Sequence, residues 1–170
     1  MKILRTFTSS ATALALLGST PAFATAGSGF HPSGVVLGHY GSFHLDTQNL
    51  ARDKDLSWSM VLKTMGDTDV GVDQVDMDAG GFTGWHAHPS AVFITVTEGS
   101  VVWSNGSDPL CPSHTYHAGD SFIEDAYIIH NVRNASNSAP AQFMGTHINP
   151  TGTSGPGFVL DRAEPNNCKF

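Results

Sequence analysis

The sequence predicts an all-β fold, an antiparallel sandwich or barrel, and three observations carry that prediction. Segments of alternating apolar and polar residues recur along the chain, the period of a strand with one face buried. The 18 glycines and 9 prolines punctuate them at short intervals, as turns require. No helical period appears after about residue 26. Many short strands without helices leave sheet-on-sheet or closed-sheet packing as the way to bury the apolar faces.

Met1 to about Ala26 reads as a signal peptide. Lys2 and Arg5 give the positive start, Ala11 to Leu17 the short apolar run, and Ala22-Phe23-Ala24 or Ala24-Thr25-Ala26 the cleavage pattern. That run is too short to span a bilayer, and no later segment approaches the length needed. The expectation is an exported protein, secreted or periplasmic, with no membrane contact after signal removal. Residues 27–170 then form a single domain long enough to bury a core.

Within it, Ala26–Gly34 is Gly/Ser-rich and expected to be a flexible leader. Val35–Leu45 and Leu56–Thr64 read as strands, with a turn at Met65-Gly66-Asp67-Thr68. Asp69–Met77 is a strand whose alternation slips near Asp73-Gln74, which predicts a bulge there. Asp78–Gly84 reads as a glycine-rich turn. Val92–Thr97 and Ser100–Ser104 are expected to form a hairpin about Glu98-Gly99. Asn105–Ala118 reads as a polar loop. Ser121–Glu124, His130–Asn134 and Ala141–Ile148 are further strands, and a Pro/Gly-rich tail follows from Asn149.

The chain carries 8 Lys and Arg against 15 Asp and Glu, a net charge of −7, and the leader holds two of the cations. Nucleic acid requires a basic surface, so it is excluded as a partner. The two cysteines, Cys111 and Cys168, admit two readings. An even count in an exported chain favours a disulfide that pins the tail to the loop before Gly119. Cys111-x2-His114-x2-His117 has a spacing compatible with zinc. The disulfide is the expectation, and His114 and His117 are then solvated loop residues.

The chemistry concentrates in Gly84-Trp85-His86-Ala87-His88 and in His130-Asn131-Val132-Arg133-Asn134. On a strand, His86 and His88 point to one side, and a third imidazole from a later strand would complete a metal grip. A His-x-His alone is weak in a chain with 9 histidines. Its setting is more specific. Gly80, His86, His88 and Gly99 are spaced as in the first motif of the cupin superfamily, Gly-x5-His-x-His-x3,4-Glu-x6-Gly. Gly119, His130 and Asn134 are spaced as in the second, Gly-x5-Pro-x-Gly-x2-His-x3-Asn. The chain therefore resembles the cupins over 80–99 and 119–134. The run from Gly-Trp-His-x-His-Pro through Asp108-Pro109-x-Cys111 to Asn166-x-Cys168-x-Phe170 resembles small secreted bacterial members.

The resemblance implies a double-stranded β-helix, or jelly-roll barrel. It implies one divalent transition metal (Fe, Mn, Cu, Zn or Ni) on His86, His88 and His130. It departs from the family at three points. Val92 stands where the glutamate ligand falls, and Asp125 and Tyr127 replace the second motif's Pro and Gly. Glu98 has the wrong strand phase to substitute, so a three-histidine site is expected. If position 92 faces the interior, so do Ile94 and Val96, while Phe93, Thr95 and Thr97 face away, and His130 and Val132 share a face. The implied site is three imidazoles in an aliphatic bowl, suited to a small-molecule ligand or substrate.

Three functions fit that site: a small-molecule oxygenase or other metal enzyme, a non-catalytic metal or small-ligand binding module, and a barrel whose metal site has decayed. A general acid or base beside the metal separates the first two. The candidates are Tyr127, Glu124, Asp125 and His147. Tyr127 falls near the barrel mouth. His147 falls on the last strand, where a fourth ligand can sit, although an exposed histidine is the usual outcome. Trp85 is expected to pack, and Asn134 to satisfy backbone groups in a turn. Edge-strand pairing would allow a homodimer, to which no residue points.

Overall fold

The computed structural model describes residues 26–47, 58–153 and 158–168; all of the expected signal peptide but Ala26 lies outside them, as do Leu56 and Ser57 of one expected strand. Among the described residues the strands begin with β1 (Ser28–Tyr40), β2 (His44–Asp46), β3 (Val61–Lys63), β4 (Thr68–Phe82), β5 (His86–Ala87) and β6 (Val92–Glu98). They continue with β7 (Ser100–Asn105), β8 (Ser113–His117), β9 (Ser121–Glu124), β10 (His130–Asn134), β11 (Ala141–Pro150) and β12 (Leu160–Asp161). One ladder runs β1-β4-β11-β6-β9 and the other β12-β5-β10-β7-β8, antiparallel throughout. They meet where Phe82 of β4 pairs with Arg133 of β10. The result is a nearly closed antiparallel barrel, the double-stranded β-helix that the motifs imply. β2 and β3 pair separately.

Strand alternation builds the interior. Val92, Ile94 and Val96 are buried while Phe93, Thr95 and Thr97 face out, as the period requires. They join Val75 and Met77 of β4, Val101 of β7, Val132 of β10 and Phe143 of β11 in one apolar cluster. Each such side chain contributes about 1.5–3 kcal/mol by leaving water. Asn134 works as expected: its Nδ2 donates to the carbonyls of Asp78 and Ala139, at 2.9 and 2.8 Å, and its Oδ1 accepts from Ser136 N.

Several expectations from local pattern are corrected. Ser28–Gly34 is no flexible leader; it opens β1, which pairs with β4 as far as Tyr40. β1 is a largely exposed edge strand, so backbone pairing holds it and no apolar alternation announces it. Asp78–Phe82 continues β4 rather than turning. The alternation of β4 does not slip, because Asp69, Gly71, Asp73, Val75 and Met77 all face inward. The irregularity lies across the ladder, in β1 between Gly34 and Val36.

β6 and β7 do not form a hairpin. β6 pairs with β9 and β11, β7 with β8 and β10. Gly99, at φ +68°, turns the chain from one sheet to the other, and a Cβ there would lie 2.7 Å from Pro140 O. The expected loop 105–118 contains β8, which folds back on β7, and the tail after Asn149 contains β12.

Candidate metal centre

His86 and His130 face each other because β5 pairs with β10 at that position. His88 follows on the same side. Ring centroids lie 4.3 Å apart for His86 and His130, 5.0 Å for His86 and His88, and 5.2 Å for His88 and His130. All three rings are buried, and one ligand atom from each falls within 4.8 Å of the others.

The orientation of the rings is fixed from behind. Nδ1 of His86 is 3.0 Å from Gly84 O, Nδ1 of His88 3.1 Å from Phe158 O, and Nδ1 of His130 2.8 Å from Ile128 O. A carbonyl only accepts, so each Nδ1 carries a hydrogen. Each Nε2 of a neutral ring is then left with its lone pair facing the centre. This is how histidine ligands are commonly held in metal sites. The carbonyl on His88 comes from the tail. Arg162 N donates to Trp85 O, β12 pairs with β5, and Cys111 and Cys168 form the expected disulfide. Trp85 is buried, as expected.

Glu124 enters the same centre. It ends β9, it is 2% exposed, and its partner across the ladder is Val92. Its Oε2 lies 3.2 Å from His88 Nε2 and its Oε1 3.1 Å from His130 Nε2. Oε1 of Glu124 and Nε2 of His130 are nevertheless both buried without a hydrogen-bond partner among the described residues. Atoms of this kind call for a missing partner, and a cation shared between them would serve. Burial pushes the Glu124 carboxyl up, but the charge of His130 and the contacts with His130 and His88 outweigh it and hold the group well below the carboxylate range. Burial lowers His130 too, yet the Glu124 carboxylate outweighs it and raises that ring. Burial, then repulsion from His130, takes His86 down from 6.5 to about 3, so His86 is neutral at ordinary pH, as a ligand must be. Imidazoles and a carboxylate suit a divalent transition metal.

A cavity of about 30 Å³ opens against His86, His88 and Glu124. Val75, Ile94 and Phe143 give it apolar walls, and a second polar pair, Asp73 and His147, lies in it. His147 Nε2 is 3.1 Å from Asp73 Oδ2, both residues are buried, and the His147 ring centroid is 5.4 Å from that of His88. Gly145 makes room for the pair, since a Cβ there would lie 3.3 Å from His147 Nε2. Asp73 Oδ2 and His147 Nδ1 have no hydrogen-bond partner among the described residues.

Of the acid–base candidates, Glu124 and His147 are therefore in the centre, and the expected exposure of His147 is corrected: its strand β11 is flanked on both sides by β4 and β6. Tyr127 and Asp125 are exposed and leave the list. Tyr127 has φ +61°, in the position where the motif has glycine. Cys111 is spent in the disulfide, which removes the cysteine–histidine cluster; His114 and His117 are exposed, on β8 rather than in a loop. Asp73 was not singled out from sequence, and the apparent slip of β4 was its only trace.

The family model described as Cupin domain matches residues 74–147, from β4 to β11. No curated protein matches the sequence significantly. Among solved structures, the chain is similar to a conserved protein with a double-stranded β-helix domain from Klebsiella pneumoniae, at 21% identity, 56% of this chain and 75% of that one, with a TM-score of 0.44. It is similar to a cupin-like protein from Thermotoga maritima at 18% identity, over 74% and 80% of the two chains, with a TM-score of 0.45. An oxalate decarboxylase from Lactobacillus farciminis is 20% identical over 54% of this chain and 26% of its own, with a TM-score of 0.44. With its barrel and its two histidine motifs, the chain carries a cupin domain over the matched residues 74–147.

Proposed function

We propose that the protein is an exported metal-dependent cupin, a small-molecule oxygenase that holds one divalent transition metal on His86, His88 and His130. The observation that carries this reading is the fixing of all three Nδ1 atoms by backbone carbonyls, which aims the three Nε2 atoms at one point. The export part rests on the N-terminal sequence pattern alone. A bound metal would supply Lewis acidity and, if redox-active, electrons for dioxygen.

The chain's own residues supply the rest. The apolar walls keep bulk water from the centre and strengthen electrostatic contacts inside it. Asp73 holds the His147 ring, and His147 exchanges a proton with the bound small molecule. Glu124 is a poorer proton carrier, because its carboxylate is engaged with two of the rings. The cavity admits only a compact ligand, since one water requires about 10–15 Å³ of such space. The same narrowness favours a second reading, capture of a metal or small ligand without turnover.

Oxygen uptake decides between them. The protein is loaded with iron(II), or with manganese(II) or copper(II), and offered a panel of small hydroxylated and carboxylated compounds. Uptake that needs one of them, and that falls by about 10²-fold or more in His147→Phe, supports the enzyme. Full metal loading with no uptake for any metal and compound supports capture.

A further inference from the structure

We infer that Glu124 is the fourth metal ligand of this centre, a carboxylate delivered from β9 across the ladder from the position where the motif places it. This rests on the proposed three-histidine centre and extends it. The motif's glutamate position falls on Val92, whose side chain is buried and cannot bind a cation. Val92 of β6 and Glu124 of β9 are directly opposed in an antiparallel ladder. Opposed side chains share a face, with Cβ atoms about 4.5–5.5 Å apart. A carboxylate on one more methylene group than aspartate spans that offset, so the two positions address one point.

Three independent observations make Glu124 a ligand rather than a structural acid. A glutamate is almost never fully buried unless paired, and here its partners are two of the three inferred ligands, at 3.1 and 3.2 Å from their Nε2 atoms. Among the described residues its Oε1 has no hydrogen-bond partner, nor does the His130 Nε2 that faces it. Among the described residues no Lys or Arg lines the cavity to neutralise it. A carboxylate against the Nε2 atoms of two imidazoles whose Nδ1 atoms face backbone carbonyls is an arrangement a cation resolves, and the resulting four-donor set adds a hard oxygen to three nitrogens. One role in the centre thereby moves from the first motif to the second while its location in space is kept.

The test uses cobalt(II) and the full exported chain in four forms: wild type, Glu124→Gln, the exchange Val92→Glu with Glu124→Val, and His86→Ala. Affinity is read by competition with a chelator, coordination by the visible spectrum, and folding by circular dichroism. Glu124→Gln is expected to stay folded, to bind at least about tenfold more weakly, and to change the cobalt spectrum, as a second role behind the ligands would not. The exchange is expected to recover most of the affinity and the wild-type spectrum. A folded Glu124→Gln with wild-type affinity and spectrum overturns the inference while leaving the three-histidine centre standing, provided His86→Ala loses the metal. A folded exchange variant that stays as weak as Glu124→Gln overturns the equivalence of the two positions. No cobalt binding by wild type overturns both this inference and the reading beneath it.

Discussion

The disulfide should govern both the stability of the barrel and the metal centre. Cys111 and Cys168 are 57 residues apart in sequence. In the chain-entropy account, closing a loop of that size removes about 14 cal/mol/K from the unfolded state, or about 4 kcal/mol at 25 °C. The double variant Cys111→Ser with Cys168→Ser should lose that amount in urea unfolding, against the oxidised wild type. The native side adds a functional consequence. The tail docks through a two-residue strand, β12 on β5, and brings the Phe158 carbonyl to His88 Nδ1. So short a strand holds poorly by itself, and losing the carbonyl frees the His88 ring. Metal affinity should then fall by about 10–100-fold. A stability loss under about 1 kcal/mol with unchanged metal affinity would refute the reasoning and show that the tail's own contacts suffice.

Acid should destabilise the metal-free protein. His86 protonates at about 3 when folded and at 6.5 when unfolded, so its contribution is present above 6.5 and is lost as pH falls toward 3. The full loss is worth roughly 5 kcal/mol at 1.4 kcal/mol per pH unit. The depressed carboxyl of Glu124 adds to it at the acid end. The raised ring of His130 works in the opposite sense, stabilising fully below 6.5 and less as pH rises, so it offsets part of the fall near neutrality and adds nothing further below 6.5. Urea midpoints at about pH 7 and about pH 4.5 measure this, and equal midpoints would contradict it. Gly145→Ala should cost about 1–3 kcal/mol by crowding and should displace His147 from Asp73. The imidazole NMR signals of His147 report it, and unchanged signals would count against the close approach. His114→Ala should leave metal content and stability within about 0.5 kcal/mol of wild type.

The parts of the site legible in the sequence are those that depend on local period. His86 and His88 share a face because strand side chains alternate, and Val92, Ile94 and Val96 point inward for the same reason. His130 and Asn134 were found from motif spacing. The cysteine pairing followed from an even count. What the sequence hid depends on register between distant strands. Glu124 occupies the centre because β9 pairs with β6 in one register, which no local pattern encodes. Asp73 and His147 meet because β11 pairs with β4, and each reads locally as a surface residue. The step from β6 to β7 looks like a hairpin because a glycine turn looks alike whether the chain folds back or crosses between sheets. The first half of β1, Ser28–Gly34, was missed because an exposed edge strand is specified by its backbone.

The central claim is that His86, His88 and His130 hold a metal. Elemental analysis of the protein, purified without an affinity tag beside His86→Ala and His114→Ala, tests it most directly. The account predicts about one transition metal per chain, lost from His86→Ala and kept by His114→Ala. Metal retained in a folded His86→Ala, or no metal in wild type under any loading condition, would contradict it.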